Sequence, residues 1–236
     1  VVSDDARVHG HRVRRRLAHD ARQLFPVHHG LDDTTHPGEV RRAPMKAIQI
    51  TSPGGPDVLA LADLPSPTLR PDAVRVRVAA AGVNFIDTYQ RTGHYPLHLP
   101  FVPGLEGAGT VIEAGSASGF QAGDRVAWTG IPGSYAEEAV IPADRAARVP
   151  DGVPLDLAAA VMLQGMTAHY LTVDTFPLAP GHTALVLAAA GGTGRLTCQM
   201  ARSRGARVIG AVSSEDRKST RLNSSHSSVS RMPSSA

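Results

Sequence analysis

Leu185-Val186-Leu187-Ala188-Ala189-Ala190-Gly191-Gly192-Thr193-Gly194 is the stretch from which the rest of the chain is read. Apolar residues from Thr183 to Ala188 form a continuous strand-like run, and the glycine cluster follows. A helical pattern then reaches to about Arg204, and Arg207 to Val212 is strand-like again. Strand, tight turn, helix and strand in that order make a βαβ unit of the dinucleotide-binding kind. Ala189, Gly191 and Gly194 fill the three small-residue positions of an A-x-G-x-x-G turn, with Gly192 and Thr193 between them. The first position permits the turn, the second lets backbone approach a pyrophosphate, and the third lets the helix pack close to the strand. The helix amino terminus then faces the anion. A glycine-rich turn with no ligand is the alternative, but the flanking elements occur in the order that a ligand site requires. About 24 residues past Ala189, where a carboxylate would grip the ribose 2′-hydroxyl of NAD, stand Ser213 and Ser214, with Arg217 close behind. That set favours a 2′-phosphate and hence NADPH, although Glu215 and Asp216 lie beside it.

Toward the amino terminus the texture is different. From Met45 to about 150 short strands alternate with Gly and Pro: Met45 to Ile50, Val74 to Val78, Gly109 to Ile112, Asp124 to Trp128 and Tyr135 to Ile141. This spacing predicts a compact β-barrel-like domain. An Ala-rich stretch from Leu155 to Leu171 carries helical signals, and from there the pattern is α/β. Residues 1–44, with 6 of the 11 histidines and Phe25 as their one aromatic, show no sustained period. They read as an extension, or as upstream sequence ahead of a natural initiator at Met45. The tail from Arg217 holds eight serines in twenty residues and no apolar period. It resembles translated cloning or adapter sequence and reads as a disordered appendage.

Composition narrows the function. With 42% hydrophobic and 19% charged residues the chain has the balance of a globular protein, and 4% aromatics provide no stacking platform for single-stranded nucleic acid. The net charge of +3 is a property of the flanks, because residues 45–216 carry 12 basic against 15 acidic groups. No polyanion-steering face is implied. Cys198 is the one cysteine, which excludes an internal disulfide or a Cys-rich zinc site and suggests a reduced, cytoplasmic setting. No apolar run approaches the roughly 20 residues that span a bilayer.

With the β domain placed before the βαβ unit, the chain resembles the medium-chain dehydrogenase/reductase superfamily, and within it the zinc-independent quinone oxidoreductase (zeta-crystallin-like) branch. The resemblance runs from Met45 to about Asp216. It rests on Ala80-Ala81-Gly82-Val83-Asn84-Phe85-Ile86-Asp87-Thr88-Tyr89, Pro103-Gly104-Leu105-Glu106-Gly107-Ala108-Gly109, Gly123-Asp124-Arg125-Val126, Gly133-Ser134-Tyr135-Ala136-Glu137 and Gln164-Gly165-Met166-Thr167-Ala168-His169-Tyr170. It implies a GroES-like β-barrel-type catalytic domain over 45–165, followed by the first part of a Rossmann NADPH-binding domain over 166–216. Zinc-containing members of the superfamily use Cys and His where this chain has Asn84 and Leu105, and neither Asn nor Leu supplies those ligands. The reaction left is direct hydride transfer from NADPH to a quinone or conjugated enone.

The resemblance further implies that Asn84, Tyr89 and Tyr95 border the nicotinamide and substrate cleft, and that Gln164 and Thr167 contact the nicotinamide half of the cofactor. For Asn84 a turn-forming role at a strand end is the competing reading, and for both tyrosines it is ordinary half-buried packing. Glu106 and Asp87 are expected to be structural. A full doubly wound domain needs about six strands and this chain supplies about two, so it reads as a truncated, inactive piece whose first strand keeps an exposed apolar edge and face. A homodimer is implied for the full-length parent. A 2-alkenal or enoyl reductase, or a nucleotide-binding module without turnover, would share most of these features.

Overall fold

A computed structural model describes residues 43–212 and the backbone of Val229–Arg231. The chain divides into two compact units at Arg148/Val149. The division falls earlier than the position 165 expected from sequence, so the whole Ala-rich helix belongs to the second unit.

The first unit is built on a five-stranded antiparallel sheet. In chain order its strands are β3 (Ala73–Ala81), β4 (Glu106–Ala114), β5 (Arg125–Thr129), β6 (Glu138–Pro142) and β7 (Ala147–Arg148), arranged β6-β3-β4-β5-β7. A two-stranded pair, β1 (Met45–Gln49) with β2 (Ala60–Leu64), joins it through the Ala47–Ala136 bridge and a hydrogen bond from the Ile48 N–H to the Tyr135 carbonyl. Every second residue of β3 should face one way, and Val74 and Val76 do enter a core with Val111, Val126, Trp128 and Ile141. Burial of each such side chain contributes about 1.5–3 kcal/mol. Trp128 closes this core and donates its indole N–H to Ser134 Oγ at 3.0 Å.

The alternation misleads at Arg75. Its side chain is only 3% exposed, because β3 lies between two strands whose carboxylates, Glu113 at 3.5 Å and Glu138 at 3.7 Å, neutralise the guanidinium. Helix α1 (Phe85–Arg91) follows β3 and Asn84, a helix that strand-like residues such as Phe85, Ile86 and Tyr89 hide from a propensity reading.

The second unit begins with α2 (Leu155–Tyr170), which runs into a π-helical turn at Leu171–Thr175. Strand β8 (Thr183–Val186), helix α3 (Gly192–Ser203) and strand β9 (Arg207–Val212) then form the expected βαβ unit, with β8 and β9 parallel. Its core is Leu178, Val186, Ala189, Cys198, Ala201, Val208 and Val212. Cys198 therefore packs as a small apolar residue. Leu185 and Leu187 stand 64% and 57% exposed, as anticipated for a first strand with an uncovered face. Contrary to the expectation that the Ser-rich tail is a disordered appendage, the backbone of Val229–Arg231 pairs in parallel with Gly210–Val212 as β10, giving the order β10-β9-β8. Backbone pairing on an open sheet edge demands little of the side chains, which is why composition gave no sign of it. Among the described residues, no helix is long and apolar enough to cross a membrane.

Candidate active site

In the second unit the glycine turn lies between the end of β8 and the start of α3. Ala188 has φ of 49°, in the left-handed region, and its carbonyl accepts the Gly191 N–H at 2.8 Å. Ala189 is fully buried, and its N–H bonds the Ala211 carbonyl at 3.0 Å, which carries the parallel pairing past the last residue of β8. Gly191 is the N-cap of α3. Gly194 sits so close under the strand that a Cβ there would overlap the Ala188 carbonyl and the Ala189 Cα. The first-turn N–H groups of a helix have no intrahelical partner, and α3 has no acidic residue in its first turn to compensate them. Leu171, Leu187, Ala188, Gly191, Gly192 and Thr193 are among the residues lining a pocket of about 450 Å³ at this end of the helix. The donor set suits a pyrophosphate: backbone N–H groups, small residues and the positive end of a helix.

Gln164, on α2, reaches this turn. Its carboxamide lies against Gly192, where a Cβ would otherwise stand. Thr167, one turn further along, donates its hydroxyl to the Leu163 carbonyl at 2.7 Å and remains half-buried. Ser213, Ser214 and Arg217 lie outside the described residues.

In the first unit Asn84 is not at a strand end but at the N-cap of α1. Its N–H donates to Asp87 Oδ2 at 2.8 Å, one half of a capping box. Its Nδ2 donates to Glu106 Oε1 at 2.7 Å. Tyr135 in turn donates its hydroxyl to Asp87 Oδ2 at 2.8 Å. Glu106 is 1% exposed and Asp87 7%, and Asp87 Oδ1 is buried without a hydrogen-bond partner. Burial pushes the Tyr135 phenol well above its ordinary range, and its hydrogen bond to Asp87 adds to the shift.

Tyr89 and Tyr95 come together edge to face, with ring centroids 5.3 Å apart. Phe85 and His94 complete the cluster around Tyr89, and all four rings are exposed. Tyr89 and Tyr95 are 37% and 49% exposed, partly covered by their ring contacts. Sequence reasoning missed Phe85 and His94. The signal was the i, i+4 spacing of Phe85 and Tyr89, visible only once a helix is placed there.

A sheet unit bearing an Asn–carboxylate network is thus followed by a βαβ unit with a glycine turn of the dinucleotide-binding kind. Residues 70–151 match the alcohol dehydrogenase GroES-like domain. A quinone oxidoreductase of Pseudomonas aeruginosa is 46% identical over 175 residues, 73% of this chain and 54% of that protein. A 2-haloacrylate reductase of Burkholderia is 41% identical over 74% of this chain and 55% of its own length. The Escherichia coli quinone oxidoreductase, solved in complex with NADPH, is 37% identical with a TM-score of 0.72, covering 75% of this chain and 55% of that one. The chain is similar to the quinone oxidoreductases of the medium-chain dehydrogenase/reductase superfamily, and its residues 70–151 carry the GroES-like domain match. It spans about half the length of the curated relatives it matches.

Proposed function

We propose that the protein is part of an NADPH-dependent, zinc-independent oxidoreductase that reduces a quinone or a conjugated enone. The observation that carries this reading is the turn from Ala188 to Gly194, where small residues and the unpaired N–H groups of α3 face a pocket free of acidic side chains in the first helical turn. The likeness to quinone oxidoreductases, one of them solved with NADPH, supports it. Bound NADPH supplies the hydride. The residues of this chain bind and orient: Gly191, Gly192 and Thr193 present backbone to the pyrophosphate, Gln164 and Thr167 lie on the adjoining face of α2, and Asn84, Tyr89 and Tyr95 receive the flat acceptor. Ser213, Ser214 and Arg217 would select the 2′-phosphate.

The test is to titrate this chain, and the same chain extended to the length of its relatives, with NADPH and NADH. NADPH oxidation by 1,4-naphthoquinone is then followed. Preferential binding of NADPH with quinone-dependent oxidation supports the reading; if the extended protein binds neither cofactor, it fails. The likeness to a 2-haloacrylate reductase favours a second acceptor class, conjugated carboxylic acids, and an acceptor screen on the extended protein separates the two.

A further inference from the structure

Asn84 is usually easy to satisfy at a helix N-cap, yet here it is also tied to a carboxylate that the fold keeps almost completely from water. Glu106 opens β4, is 1% exposed, and accepts Asn84 Nδ2 at 2.7 Å. A buried carboxylate carries a large desolvation cost unless donors compensate it. The backbone has been shaped to receive it, because a Cβ on Gly82 would overlap the Glu106 carboxyl group. The Gly82 N–H bonds the Glu106 backbone carbonyl at 3.2 Å, fixing the two chain segments to each other.

This arrangement determines which way the Asn84 carboxamide faces. The atom turned to the carboxyl group is the amide nitrogen, which donates to Glu106 Oε1. The carboxamide oxygen is then placed toward the helix amino terminus, consistent with the capping box formed with Asp87. A planar amide with one N–H committed to Glu106 and its oxygen turned to the helix has a single group left, its second N–H. Asn84 is half-buried, so that group is within reach of a ligand.

We infer that Glu106 is a positioning residue that fixes Asn84 as a hydrogen-bond donor, so that the ligand atom meeting Asn84 is a carbonyl oxygen. The inference rests on the oxidoreductase reading for the identity of the ligand but not for the geometry. Two ligands carry such an oxygen, the quinone acceptor and the carboxamide of the nicotinamide. A donor held toward an acceptor's oxygen would stabilise the negative charge that builds there as hydride arrives.

The test uses the full chain and the variants Glu106→Gln, Glu106→Leu and Asn84→Asp. In the ¹⁵N-labelled protein one side-chain amide proton of Asn84 should be shifted downfield and exchange slowly. Glu106→Gln, whose amide oxygen still accepts, should keep that signature, and Glu106→Leu should lose it. Dissociation constants for NADPH and, separately, for 1,4-naphthoquinone are measured without turnover. Glu106→Leu and Asn84→Asp should each weaken one of them roughly tenfold, the upper end of the range for one lost neutral hydrogen bond, while Glu106→Gln stays within about threefold. Weakened naphthoquinone binding assigns the acceptor, and weakened NADPH binding assigns the nicotinamide. The double variant Asn84→Asp/Glu106→Leu should be no worse than either single one. If Glu106→Leu leaves the Asn84 amide signals and both constants unchanged, or only lowers the melting temperature, Glu106 is structural and the inference is wrong. Should the wild-type chain bind neither ligand, the oxidoreductase reading fails, and the amide signals still decide the positioning role.

Discussion

Ala188 is the one described residue other than glycine with positive φ, and replacing it with glycine tests whether the turn holds the strain that its conformation implies. An L-residue in the left-handed region costs roughly 1–2 kcal/mol. Glycine removes that cost but brings greater freedom to the unfolded chain, worth roughly 0.5–1 kcal/mol in the opposite direction. Ala188 is exposed, so loss of its methyl removes little packing. The net expectation for Ala188→Gly is a gain of about 0.5–1 kcal/mol. Hydrogen exchange is the appropriate assay because it resolves the two units. Amides of β8 and β9, including Ala189 with its bond to the Ala211 carbonyl, should become two- to fivefold better protected, a range that follows from about 0.5–1 kcal/mol. Trp128 lies in the other unit, so its fluorescence transition in urea should not move. A loss of protection in β8 and β9 would refute the reasoning, since it would mean that the Ala188 methyl contributes more than its backbone conformation costs.

Gly194→Ala should act in the opposite sense on the same amides. The added methyl meets the Ala188 carbonyl and the Ala189 Cα, which are backbone and cannot rotate away, so a loss of at least about 2 kcal/mol is expected, read as the collapse of protection across β8 and α3. Asp124 supplies a pH prediction. Its carboxylate accepts the Gln121 N–H at 2.9 Å and Arg148 Nη1 at 2.6 Å, and these bonds, the backbone one foremost, hold it below its ordinary value of 3.8. A carboxyl group depressed in the folded state stabilises it above the unfolded value, and that contribution is lost as pH falls through the folded one. Acid titration of the wild-type chain should therefore show a loss of stability from about pH 5 downward that Asp124→Asn reduces. An unchanged acid limb in the variant would show that the contribution is screened away by solvent at this exposed pair.

The βαβ unit was legible because three signals coincide there: an apolar run, glycines at fixed offsets, and an amphipathic helix after them. β2 was not, because Ala60-Leu61-Ala62-Asp63-Leu64 has little strand propensity and is held by its register with β1, from Met45 opposite Leu64 to Gln49 opposite Ala60. α1 was missed for the converse reason, and yet the clue was present, since Asn84 with Asp87 three residues later is the spacing of a reciprocal cap. Asn84, Tyr89 and Tyr95 were reached through family resemblance alone. The pairing of Asn84 with Glu106 spans 22 residues and depends on the return of β4 beside β3, which no local pattern encodes. The left-handed residue is Ala188, one position before the first small residue of the motif, and no residue type at that position signals it.

The two candidate site regions share one device. Gly82 leaves room for the Glu106 carboxyl group, and Gly192 leaves room for the Gln164 carboxamide, so in each unit a missing side chain is filled by a polar group arriving from a different element. The consequences differ. Glu106 is almost completely buried and tied to Asn84, so its place is fixed by the fold. Gln164 is half-buried and lies at the turn where backbone would meet a pyrophosphate, so a ligand approaching Gly192 must either accept a hydrogen bond from that carboxamide or turn it aside. Gln164→Ala separates these alternatives. If the carboxamide binds the ligand, NADPH affinity falls by several-fold, in the range of one lost neutral hydrogen bond of about 0.5–1.5 kcal/mol. If it only occupies the space above Gly192, removing it leaves the pocket open and affinity holds or rises, and the role given to Gln164 by family resemblance would then be wrong for this chain.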